Sequence, residues 1–275
     1  MHQLASDPLF QTAVAPFLVA LIAGLLLNRL GWYWPGLAAP LGFYAAAWLI
    51  IGLELFPLTS THKTLLSGMV ATAAGLVLDA SPWGRRRLPW VVAVAAAAAA
   101  VWVVWPVLLR REGLSFWALG GGAALYLGWL TAVGAGLRDK PLPAGAAAVS
   151  LGLGTGIIAV YGASTLLGQL AASFAAAAGA FLLLAALLPR HKAGGMLMLP
   201  ALILCGLFGV SGCVYAKVPW DSLPALAIIP VFARLPLDEA KPAWMRAVVL
   251  LLVTLAAAAA AVFVTRHVTG PLPSL

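Results

Sequence analysis

Between residues 143 and 188 the sequence runs for 46 positions without a charged side chain. As one α-helix this stretch would be about 69 Å long, more than twice the ~30 Å of a bilayer's hydrocarbon core. It must therefore fold back on itself, and the small polar turn Tyr161-Gly162-Ala163-Ser164 is the expected place. Similar apolar stretches, each near the ~20 residues that cross a membrane, recur along the whole chain. Composition agrees: 63% of the 275 residues are hydrophobic and only 9% charged. A soluble domain carries about 25% charged residues, so this chain has too few to cover a water-facing surface. The ~10-residue alternating segments of a membrane β-barrel are absent. The expected fold is an all-α, polytopic transmembrane bundle forming a single integral membrane domain without a soluble part.

Ten spans are expected, at about 9–28, 36–56, 64–79, 88–109, 115–137, 143–161, 165–188, 194–216, 221–236 and 244–265, with Pro and Gly at most joints. The ninth is short and carries Pro224, Pro230 and Pro236. It reads as a tilted, kinked helix. The alternative is a re-entrant segment lining a site, which would reduce the count to nine and move the C-terminus to the other side. Two halves, 1–138 and 141–275, would have inverted topology, but no matching Gly, Pro or charge positions relate them.

Orientation follows from loop charge. The odd-numbered loops hold eleven Lys and Arg residues, including Arg85, Arg86 and Arg87; the even loops and both tails hold five. The odd loops are thus expected in the cytoplasm, with both termini outside. The pair Arg110-Arg111 fits this poorly. Tryptophans flank the span ends as interfacial belts do, with Trp48 and Trp129 alone deep within spans. The N-terminal MHQLASD lacks a basic residue, so a cleavable signal peptide is not expected. The net charge of +8 is scattered among loops rather than gathered in a patch, which argues against nucleic acid. The expected location is a bacterial inner membrane.

Among candidate functional groups Glu54 stands first, since a carboxylate within a span is a functional hypothesis by default. It precedes Pro57 by three residues and is followed by the polar run Thr59 to His62. Two readings result: an interfacial carboxylate meeting Lys63 or His62, or a proton- or cation-coupling group in a cavity. Tyr161, Ser164 and Gln169 cluster around the sixth-to-seventh turn as a second candidate. Asp221 with Ser222 reads as an N-cap ahead of Pro224. Asp79, before Arg85, reads as a helix-end cap or salt-bridge partner rather than a substrate contact.

The run GLGTGIIA, Gly152 to Ala159, has the spacing of a dinucleotide fingerprint but lies inside an apolar span, where no strand or exposed helix start can hold a pyrophosphate. Gly152 and Gly156 read instead as small-xxx-small packing, with a flexible gate as the sharper alternative. Gly120 and Gly128 belong to a similar ridge in the fifth span, and Pro230 reads as a hinge. Alanine runs at 95–100, 175–178 and 256–261 suit helices buried among others, in a compact bundle or a larger assembly.

Cys205 and Cys213, about 12 Å apart on one helix, are too distant for a disulfide. No metal, cofactor or enzymatic motif is present, and no enzyme is expected. The reading favoured by architecture is a small permease-like transporter of a small solute or ion. The alternative is a non-catalytic subunit that scaffolds a larger membrane complex. Expected partners are the lipid bilayer, with self-association or other membrane subunits as further options.

Overall fold

The computed structural model describes residues 7–31, 34–52, 57–80, 88–188 and 192–270. Among them all regular structure is helical, and nine helices are long and apolar enough to cross a membrane. These are α1 (Phe10–Leu27), α2 (Trp34–Ile51), α3 (Ser60–Ala80), α4 (Leu88–Leu108), α5 (Leu114–Gly134), α6 (Pro141–Tyr161), α7 (Thr165–Leu187), α8 (Gly194–Tyr215) and, after two short pieces, α11 (Ala243–Thr269). The short pieces are α9 (Ser222–Ala227) and α10 (Ile229–Phe232). They occupy the place of the expected ninth span.

The uncharged stretch folds back where its composition allows. Helix α6 ends at Tyr161, Ala163 adopts a left-handed φ of 65°, and the Ser164 N–H reaches the Ala159 carbonyl at 2.9 Å. This is a Schellman-type stop built with alanine where glycine is usual. Helix α7 then returns along α6.

Helix α8 is the axis of the molecule. Every residue from Gly194 to Gly212 is buried, and the helix packs against α2, α3, α4, α5, α6 and α7. A helix buried within such a bundle can be apolar all round, and α8 is so over this stretch apart from Ser211.

Five contacts fix the direction of the helices. The Lys217 N–H reaches the Gly162 carbonyl at 2.9 Å, joining the ends of α6 and α8. Tyr215 donates to the Val103 carbonyl at 3.0 Å, and Ser60 reaches Tyr215 at 2.9 Å, which brings the start of α3 to that same end. At the opposite end the Gly194 N–H reaches the Arg138 carbonyl at 2.9 Å, and Asp79 accepts from the Gly195 N–H at 2.8 Å. The second end gathers Arg29, Arg138, Lys140, Lys192, Arg234, Lys241 and Arg246; the first holds Lys63, Arg110, Arg111, Lys217 and Arg266. They are called the basic end and the far end below.

The segment after α8 crosses the bundle. Its start is at the far end, where Ser222 bonds Thr265 at 2.7 Å. Leu226 then packs midway, against Gly154 and Ala258. Arg234 arrives at the basic end and donates to the Val133 carbonyl. The 11 residues Ser222–Phe232 supply about 16 Å of helix, so non-helical chain covers the rest. Helix α11 consequently runs parallel to α8, and the re-entrant alternative is overturned. The described chain traverses the bundle ten times, nine times by long helices and once by a broken one.

Candidate functional site

The break in the tenth pass follows from proline chemistry. Pro230 has no N–H, and its ring crowds the carbonyl one turn back; here the helix breaks, whereas α4 and α8 continue through Pro106 and Pro200. The chain halts at Ile228, whose carbonyl then receives both the Val231 and Phe232 N–H groups, at 2.9 and 3.1 Å. Pro230 is buried at the start of α10. Asp221 occupies the N-cap position of α9 without making a side-chain cap, and is exposed. The N-cap expected of Asp221 and Ser222 is therefore not made; the Ser222 hydroxyl is engaged by Thr265 instead.

Below the break, at the basic end, lies a cavity of about 470 Å³. Asp139 and Lys140 line it from the α5–α6 loop, Arg234 and Glu239 from the end of the broken pass, and Arg246 from the first turn of α11. Leu250 forms part of its apolar wall. The Arg246 Nε is buried and has no hydrogen-bond partner. An unpaired guanidinium nitrogen is costly where water is excluded. The cavity thus combines charges of both signs, a buried donor and a discontinuous helix.

The far end holds the other candidates. His62 lies in the first turn of α3, its Nδ1 2.9 Å from the Pro57 carbonyl. Tyr161 and Gln169 share a cavity of about 290 Å³ with Thr12 of α1, and Gly156 contributes to its wall. Ser164 stands at the start of α7 without a side-chain cap. The structure thus brings Tyr161 and Gln169 together, with Ser164 in the adjoining turn, and sets His62 on a different helix. Glu54 lies outside the described residues.

The glycines differ in their surroundings. A Cβ at Gly152 would lie 2.9 Å from the Ala171 carbonyl oxygen and 2.8 Å from the Ala175 Cβ. At Gly156 the nearest atom would be the Gly168 oxygen, at 3.1 Å. Helices α6 and α7 approach closely along this line. At Gly120 and Gly128 a Cβ would meet only ordinary contacts, at 3.4 and 3.5 Å.

Two features were not anticipated from sequence. The cavity residues come from segments about a hundred positions apart, and only the clustering of charge between Pro236 and Pro242 hinted at them. Asp79 caps a helix other than its own: its carboxylate accepts from the Gly195 and Met196 N–H groups at 2.8 and 3.3 Å. No protein-family model matches the chain, and no curated protein matches it.

Proposed function

We propose that this multi-pass membrane protein is a permease-like transporter of a small solute or ion, without enzymatic activity, in a bacterial inner membrane. The observation that carries this reading is the broken tenth pass above a charged cavity. Discontinuous helices leave backbone groups without helical partners, and membranes tolerate these only against protein or a water-lined path. Here α9 and α10 are held laterally by α5, α6 and α11, and the charged cavity opens where the pass ends. Tilting of this pass about Ile228 and Pro230 would expose its buried face to one end and then the other. Glu54, His62 and Asp221 remain candidate coupling or pathway groups at the far side.

A second reading, a scaffolding subunit of a larger complex, is favoured by one feature of the bundle centre. The buried hydroxyls of Ser150 and Thr254 satisfy each other at 2.8 Å, which locks α6 to α11 rather than opening a path.

Thiol accessibility separates the two. Leu226→Cys and Leu235→Cys are introduced singly into a Cys205→Ala, Cys213→Ala background, and a charged, impermeant thiol reagent is applied from each side of sealed vesicles. A transporter is expected to react at position 226 from both sides. No reaction at 226 from either side, with a stoichiometric protein partner in native mass spectrometry, would establish the subunit reading instead.

A further inference from the structure

Helices α3 and α4 are neighbours in sequence yet touch little: α3 packs mainly on α8, and α4 mainly on α5. The gap between them is a cleft of about 790 Å³. Val70 and Val77 line one wall, Val91 and Ala95 the other, and Leu199 and Ile203 of the central helix form its floor. Elsewhere α8 is sheathed by helices, so this is a place where the axis of the molecule is reached from the side.

The mouth at the far end differs from the rest. Lys63 extends from α3 across the gap, donating to the Trp102 carbonyl at 3.3 Å, with its ammonium 5.3 Å from the centre of the Trp102 ring. The first turn of α3 contains no acidic residue. A cation at a helix N-terminus is unfavourable with respect to the helix dipole, and an anion there is favoured. An ammonium has three N–H donors, of which one is directed to Trp102. Just past the end of α4 stand the exposed Arg110 and Arg111, with Glu112 beside them, so among the described residues this rim carries net positive charge. Loop charge alone did not account for these two arginines on this side.

We infer that the α3–α4 cleft is a binding site for one anionic phospholipid, with its alkyl chains along Val70, Val77 and Ala95 and its phosphate at Lys63. Charge and lining select the occupant together: the mouth presents the Lys63 ammonium near the exposed Arg110 and Arg111, and the walls of the cleft are apolar, a pattern that fits a phosphate joined to alkyl chains. The chains would lie on Val70, Val77 and Val91, which are exposed, above a floor of Leu199 and Ile203 that the bundle already buries. The inference is independent of the transport reading.

The test is native mass spectrometry after reconstitution in vesicles of equimolar phosphatidylglycerol and phosphatidylcholine, followed by gentle extraction. Wild-type protein is expected to retain one phospholipid, with phosphatidylglycerol preferred about fivefold, as one interfacial lysine would give. Lys63→Gln should bring the two lipids to near-equal retention, and Lys63→Arg should restore the preference. Ala95→Phe fills the slot and should remove the retained lipid of either kind. Equal retention of both lipids by the wild type would overturn the assignment. So would unchanged retention in Ala95→Phe, or a second protein chain held in place of lipid.

Discussion

Asp79 closes the first turn of α8 from a helix whose sequence is more than a hundred residues away. The first N–H groups of any helix lack intrahelical acceptors, and inside a bundle no water replaces them. Gly194, with φ of 67°, turns the chain into α8, so that the Gly195 and Met196 N–H groups point at the carboxylate. The approach is tight: a Cβ at Gly75 would lie 2.5 Å from the Gly195 backbone. A carboxylate at this position meets both the free donors and the positive end of the helix dipole. Asp79→Ala is expected to destabilise the bundle by about 1–2 kcal/mol, the usual cost of a lost cap. Asp79→Asn should cost less, because the amide oxygen still accepts. Thermal unfolding in detergent checks this, and a wild-type midpoint for Asp79→Ala would show that the α8 start is satisfied otherwise. The sequence reading placed Asp79 at a helix end but had no means of naming the helix it caps.

Helix packing separates glycines that look alike in sequence. Gly152 and Gly128 both occupy small-residue ridges at four-residue spacing, yet only Gly152 meets a neighbouring backbone within 3 Å. Gly152→Ala must push α7 away from α6, at a cost of about 1–3 kcal/mol typical of overpacking. Gly128→Ala should leave stability nearly unchanged. Equal melting shifts for the two variants would mean that the α6–α7 seam is loose. The span positions were legible because apolar length and charge punctuation act locally, within one helix. Which ridge becomes a seam depends on the partner helix, and that is a tertiary property. The same limit applies to the tenth pass. Pro224, Pro230 and Pro236 marked it as irregular, but the charged cavity beneath it joins Asp139 and Lys140 to Arg234, Glu239 and Arg246 across separate loops.

At the scale of the molecule, the number of traversals decides where the chain ends. Nine long helices alone would put the two termini at opposite ends of the bundle. The broken pass changes the parity. Ser222 meets Thr265 at the far end, and Arg234 meets Val133 at the basic end, so α11 starts at the basic end and finishes beside the end of α8. Thr12, near the start of α1, shares a cavity with Tyr161 and Gln169, which are also at the far end. Both termini of the described chain therefore emerge together. If loop charge orients this protein as it does others, the basic end faces the cytoplasm and both termini lie outside. A reporter fused after His267, active only in an external compartment, is expected to be active, as is one fused before Asp7. Activity at one terminus alone would mean that residues 222–242 return to the side they left, contrary to the contacts of Ser222 and Arg234. Inactivity at both would leave the ten traversals intact but invert the molecule, assigning Lys63, Arg110 and Arg111 to the cytoplasmic leaflet.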